Sequence, residues 1–195
     1  MEPEDVVFML NEYFEIMVSI VIKNHGIVDK FIGDAIMAVW GAPQSTGDDT
    51  YHALKACLEM REALDKLNEI RIARDEDPIL IGMGLHYGEA LSGAIGSDER
   101  MEYTVIGDTV NTAARVEAST KSFGTDLLIT GEVINKIEGR FVTDRCGSAE
   151  VKGKTNALEY FKVRGYIDED GTERIVKTPY SDYAAADADK VKIVS

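Results

Sequence analysis

Residues 28–43, VDKFIGDAIMAVWGAP, constrain the fold more than any other stretch of the chain. Two apolar runs, VDKFI and AIMAVW, are each too short for a stable helix and are joined by Gly33-Asp34, a pair that suits a tight turn with positive φ. The chain must double back here as a β-hairpin. A lone hairpin is marginal in water, so one of its faces needs a helix or further strands against it. Both flanks offer a helix. Upstream, Val6, Val7, Leu10, Phe14, Met17, Val18 and Val21 recur at helical spacing, and Gly26 is placed to end that helix. Downstream, after the loop GAPQSTGDD, the residues Ala53, Ala56, Cys57, Met60, Leu64 and Leu67 form one apolar stripe between Tyr51 and Arg74.

After Pro78 the apolar residues Ile79, Ile81, Met83, Leu85 and Tyr87 alternate, which predicts a strand, a turn near Gly88 and a glycine-rich return strand. Glycines weaken such strands but let another backbone come close. At Gly107-Asp108 the period changes from strand to helix; TDLLIT then reads as a strand and GEVINKIEG as a short helix. Two further strands follow, joined around Lys152-Gly153-Lys154. Beyond Tyr166 the periodicity fades, so residues 167–195 read as a tail that is weakly ordered or held by a partner. A chain of 195 residues suits one domain, over residues 1–166, plus that tail. The order of elements is that of an α+β fold with helices packed on a mainly antiparallel sheet.

With 35 acidic against 21 basic residues the formal net charge is -14 and no basic stripe exists, which argues against a general nucleic-acid binder. Cys57 and Cys146 lie far apart without metal-type spacing and read as reduced thiols of a cytoplasmic protein. No apolar run approaches the roughly 20 residues that cross a bilayer, and no signal-type segment opens the chain. The expectation is therefore a segment without membrane contact, whatever protein it belongs to.

Three places carry residues suited to chemistry. A lysine at an inward strand position is costly unless its donors are accepted, which makes Lys30 informative. On a two-residue period, positions 28, 30, 32 and 34 share a face, so Lys30 and Asp34 either pair with each other or address one ligand. Asn111 and Arg115 are one helical turn apart near a helix start; they form an exposed polar face or a seat for a phosphate and a sugar. Lys152 and Lys154 form a solvated turn or meet a polyphosphate. Together Lys30, Arg115 and Lys152 would make a local positive site on an acidic protein.

These stretches also resemble a known family. DKFIGDAIMAVWG, EYTVIGDTVNTAARVE and VKGKTNALEYF, in that order, are similar to the catalytic domain of class III nucleotide cyclases, over about Glu4 to Tyr166. The resemblance implies the ferredoxin-like cyclase fold and, among its members, the bacterial adenylyl cyclase type. It implies an active site between two catalytic domains, hence a homodimer, with ATP as substrate and two divalent ions, Mg²⁺ or Mn²⁺. By that likeness Asp34 is a metal ligand, Lys30 and Thr104 read the adenine ring, Asn111 orients the ribose, Arg115 stabilises charge on the α-phosphate, and Lys152 holds the terminal phosphates. It further implies sensor domains upstream in the parent protein.

One departure from the family pattern stands out. The strand that carries the family's first metal aspartate, a Phe-x-Asp-Ile-x-Gly-Phe type motif, has no counterpart before Glu4. The expectation is an N-terminally truncated domain, without its first strand, whose turnover is severely reduced. The alternatives are a catalytically silent module that binds nucleotide or dimerises, and a guanylyl cyclase. The Gly-Gly-Asp/Glu-Glu-Phe signature of diguanylate cyclases is absent.

Overall fold

The computed structural model describes residues 2–137, 139–149 and 157–186, so Lys152 and Lys154 lie outside the described residues. In chain order the elements are α1 (Pro3–Lys23), β1 (Ile27–Ile32), β2 (Ala35–Val39), α2 (Asp49–Ala73), β3 (Met83–Leu85), β4 (Leu91–Ser97) and β5 (Arg100–Ile106). There follow α3 (Asp108–Ala118), α4 (Thr120–Phe123), β6 (Leu127–Thr130), α5 (Gly131–Ile137), β7 (Phe141–Ala149), β8 (Leu158–Ile167) and β9 (Glu173–Ile175). They fall into two compact units, each with its own core. One holds the chain up to Ile79 together with Leu91–Ile106, and the other holds Leu80–Ala90 and the chain from Gly107 onward.

In the first unit α1 packs on α2 and β1, burying Met17, Val21, Leu54 and Ala56 completely or nearly so. The Phe14 and Phe31 rings meet at 4.4 Å, joining α1 to the hairpin. The predicted end of α1 needs correction. Asn24 is its cap, donating from Nδ2 to the Ile20 carbonyl at 3.0 Å and to Glu59 Oε2 at 2.9 Å, and the left-handed residue is His25, with φ of 62°. Gly26 serves a different purpose: a Cβ there would lie 2.5 Å from the Trp40 ring, whose Nε1 donates to the Asn24 carbonyl at 2.8 Å. The α2 stripe also buries polar residues. Arg71 donates to the Asp77 carbonyl and pairs with Glu76 at 2.8 Å, while the Asn68 amide exchanges two hydrogen bonds with the backbone of Ile79. These bonds compensate buried polar groups and fix the chain as it leaves the helix.

The hairpin forms as the sequence predicts, with Gly33 at φ of 63° in its turn. Its register is not a plain alternation, however: it slips between Val28 and Lys30, so that Asp29 is a β-bulge. A bulge re-aims the side chains around it, and the expected shared face of 28, 30, 32 and 34 breaks at that point. The glycine-rich strand β4 does not return along β3. It pairs antiparallel with β5, Gly93 facing Thr104, and the turn lies between Ser97 and Arg100 rather than near Gly88.

The second unit is built on a five-stranded sheet in the order β3-β6-β8-β7, with β9 added to β8. β3 and β6 run parallel and the remaining pairs are antiparallel. The strand β6 is buried at every residue, and Leu127, Leu128 and Ile129 are wholly enclosed with Val116 and Val133. Helix α3 lies directly on β3 because Gly84 lacks a side chain: a Cβ there would sit 2.2 Å from the Glu117 backbone nitrogen. Where the sequence suggested a weakly ordered tail after Tyr166, β9 pairs with β8, and Val176, Thr178 and Ser181 are buried. Asp182 pairs with Lys162 at 2.7 Å and Arg164 at 2.9 Å, and the Tyr183 amide donates to the Gly124 carbonyl. No helix among the described residues is long and apolar enough to cross a membrane.

Candidate active site

The residues singled out in the sequence are distributed over both units. In the first, Lys30 and Thr104 are brought together through Asp29, a residue the sequence reading passed over. Thr104 is 6% exposed, and its Oγ1 donates to Asp29 Oδ2 at 2.8 Å. The next backbone amide, of Val105, donates to the other carboxylate oxygen at 3.2 Å. Lys30 Nζ lies 3.5 Å from that same Oδ2 and 3.9 Å from Glu102 Oε2. The Asp29 side chain is only 6% exposed. A carboxylate so enclosed is costly unless charge and hydrogen bonds compensate it, and here two donors and an ammonium do so.

The bulge at Asp29 lets two successive residues of β1, a carboxylate and an ammonium, both reach groups on β5. The visible signal in the sequence was a charge pair, Asp29-Lys30, inside a run otherwise fit for burial. Lys30 remains part-exposed at 37% of its side chain and is free to swing to a ligand.

Asp34 sits at the exposed tip of the same hairpin and makes no hydrogen bond or ion pair with another described residue. Its charge is felt by Tyr13, whose phenol is pushed up to about 12, first by burial and second by that carboxylate. Lys30 and Asp34 therefore do not pair with each other; each keeps its own environment. No group of three or more His, Cys, Asp or Glu side chains among the described residues could enclose a metal ion. An unpaired, exposed carboxylate nonetheless fits a magnesium-like ion, which holds one or two carboxylates and fills its remaining positions with water and phosphate.

In the second unit Asn111 and Arg115 project from the exposed side of α3, while Thr112 and Val116 of the same helix are buried. The spacing thus puts both on one open face, as expected. Neither makes a side-chain hydrogen bond or ion pair with another described residue. The turn before them is fixed by Gly107, at φ of 145°, whose carbonyl accepts from the amides of Val110 and Asn111. Thr109 Oγ1 adds a bond to the Glu89 carbonyl at 2.5 Å, fastening the first turn of α3 to the segment after β3. An amide and a guanidinium held this way can address a sugar hydroxyl and a phosphate. Lys152 lies outside the described residues.

Comparison with known proteins places the chain in a family. The profile of the adenylate and guanylate cyclase catalytic domain matches residues 1–164. Adenylate cyclase 1 of Rhizobium meliloti is 34% identical over 165 residues, covering 85% of this chain and 25% of that protein. The adenylate cyclase of Anabaena cylindrica is 35% identical over 173 residues, covering 84% of this chain and 33% of its own. The chain thus spans a quarter to a third of the length of these curated relatives. Among solved structures, the adenylyl cyclase CyaB from P. aeruginosa superposes with a TM-score of 0.77 at 31% identity, covering 84% of each chain. The guanylyl cyclase Cya2 superposes with a TM-score of 0.77 at 29% identity, covering 89% of this chain and 87% of its own. On the profile match and on these relatives, the chain belongs to the adenylate and guanylate cyclase catalytic domain family, with the class III cyclase fold.

Proposed function

We propose that this chain is an adenylyl cyclase catalytic domain that converts ATP to 3',5'-cyclic AMP and pyrophosphate. The observation that carries the reading is the junction of β1 and β5, where a single carboxylate oxygen holds both Lys30 Nζ and Thr104 Oγ1. An ammonium beside a hydroxyl in a half-buried setting suits the ring nitrogen and exocyclic amine of adenine. Asn111 orients the ribose, and Arg115 meets charge that grows on the α-phosphate in the transition state, where a fixed donor is worth most. Lys152 neutralises the terminal phosphates. The ribose 3'-oxygen attacks the α-phosphorus, the bond from that phosphorus to the bridging oxygen breaks, pyrophosphate leaves, and the hydroxyl proton passes to solvent. Asp34 would hold divalent ions, Mg²⁺ or Mn²⁺, which when bound acidify the attacking hydroxyl and neutralise the leaving group.

Residues 1–166 form the catalytic domain in this reading and residues 167–195 a C-terminal extension. The working form is a homodimer with sites shared between two copies, in the cytoplasm, controlled by sensor domains elsewhere in a longer protein. The likeness to guanylyl cyclase Cya2 supports cyclic GMP as a second reading.

The test is formation of cyclic AMP and cyclic GMP from ATP and GTP with Mn²⁺, on this chain and on a form extended at its N-terminus. Cyclic AMP from either form, with far less cyclic GMP, is the expected result. Cyclic GMP as the main product moves the second reading ahead. Nucleotide binding without turnover by either form overturns both in favour of a silent regulatory module.

A further inference from the structure

The contact between Asp29 and Thr104 does more than join two strands. A threonine hydroxyl has one hydrogen to give and two lone pairs to offer. An ionised carboxylate only accepts, so the hydrogen of Thr104 is committed to Asp29 Oδ2. The carboxylate cannot turn away, since its second oxygen accepts from the Val105 amide at 3.2 Å and its side chain is almost fully enclosed. What Thr104 presents to a ligand is therefore lone pairs alone. Lys30, 3.5 Å from the same oxygen, presents hydrogens alone.

We propose that Asp29 is a specificity-determining positioning residue: it sets the hydroxyl of Thr104 as an acceptor beside the donor Lys30. The inference rests on the adenine reading proposed above. Adenine offers an acceptor at N1 and a donor at N6, which matches the pair. Guanine and hypoxanthine offer a donor at N1 and an acceptor at O6, which meets donor with donor and acceptor with acceptor. Rejection is the larger part of such a site's selectivity, because a mismatched polar group loses water and gains nothing.

Asp29→Asn separates this role from a structural one. The asparagine oxygen can keep the Val105 amide, while its NH₂ donates to Thr104 and frees the hydroxyl hydrogen to meet an O6. Binding is read by displacement of a fluorescent ATP analogue in Mn²⁺, with ATP and inosine triphosphate as competitors and the melting midpoint as the check on folding. These competitors share sugar and phosphates, and the N1 mismatch with Lys30 is the same in both proteins, so the change in their ratio reports the 6-position.

The expected result is that wild type prefers ATP and that Asp29→Asn lowers the ATP-to-inosine preference by about 3- to 10-fold, the weight of one hydrogen bond. A folded Asp29→Asn protein with an unchanged preference overturns this inference and leaves the adenylyl cyclase reading standing. A wild type that binds neither nucleotide, or both alike, overturns the adenine reading and this inference with it. Should Asp29→Asn fail to fold, Thr104→Val and Thr104→Ser carry the test. Valine must lose the preference and serine, which keeps the hydroxyl for Asp29, must retain it; a valine variant that still prefers ATP refutes the proposal.

Discussion

In the second unit Gly84 of β3 sits directly against the backbone of α3, and its replacement by alanine tests whether α3 is held in place by β3. A Cβ at Gly84 would lie 2.2 Å from the Glu117 nitrogen, 2.6 Å from the Ala113 oxygen and 2.7 Å from the Glu117 Cα, where ordinary contact begins at 3.4 Å. All three atoms are helix backbone, so no side chain can rotate aside. Helix or strand must yield by about 1 Å, and a misfit of that kind in a packed core costs about 1–3 kcal/mol. For a chain of this size each kcal/mol lowers the melting midpoint by about 2–4 °C. The same helix carries Asn111 and Arg115 on its exposed face. A displacement of about 1 Å in groups that position a reacting phosphate can reduce turnover by about 100-fold. Gly84→Ala should therefore lose both stability, read by urea denaturation, and kcat, read as cyclic AMP formation. Gly93→Ala is the control, because a Cβ at Gly93 would meet nothing within 4 Å, and its stability should stay close to wild type. A Gly84→Ala protein that melts and turns over like wild type would refute the packing argument, and with it the idea that β3 sets the position of α3.

Arg115→Ala should lower kcat by about 100- to 1,000-fold, the usual loss for a fixed donor to transition-state charge, with an unchanged melting midpoint because the side chain is exposed. A large stability loss with kcat intact would mean that Arg115 is structural. Tyr13 should titrate near pH 12 rather than at its ordinary 10.0. Because the folded value is the higher one, the stability this phenol contributes is complete below pH 10 and is lost as pH rises through about 12. The ultraviolet titration, taken as the difference from Tyr13→Phe, should move down in Asp34→Asn, and an unmoved titration would separate Tyr13 from Asp34. Asp182 is held down to about 2 from 3.8, first by Lys162 and then by Arg164. Its contribution is present above pH 3.8 and fades as pH falls toward 2. Since its side chain is 40% exposed, solvent screening keeps that contribution below about 1 kcal/mol. Asp182→Asn should speed tryptic cleavage after Lys177 at neutral pH, and the difference from wild type should shrink in acid with an acid-tolerant protease.

What the sequence made legible is local. The hairpin was readable because two short apolar runs flank Gly33-Asp34, and α3 because the period changes at Gly107-Asp108, where the glycine takes φ of 145°. Helix α2 was readable from its stripe, although Arg71 and Asn68 are buried within it for the sake of the segment after it. Strand partners were not readable. β3 and β4 are consecutive, both rich in glycine, and an antiparallel return was the simplest reading; in the structure β3 joins β6 in parallel, and β4 joins β5. Alternation records which residues face a core and carries no information about which distant strand completes the ladder.

The same limit explains the site. Lys30, Thr104, Asn111 and Arg115 were visible through a family pattern, whereas Asp29 was not, because its work depends on a partner 75 residues away and on a bulge that a two-residue period does not reveal. Each reason for its position is nonetheless physical. A carboxylate enclosed to that degree requires donors, and the nearest are a threonine hydroxyl, a backbone amide and a lysine. In the adenine reading proposed above, those are also the groups whose hydrogens must be assigned before the base arrives. The interaction that stabilises the buried charge is thus the one that sets the polarity of Thr104. Exchanging Thr104 alone for a residue without a hydroxyl would then leave a buried carboxylate with one donor fewer, so such a change in the reading of the 6-position should carry a stability cost unless Asp29 changes with it.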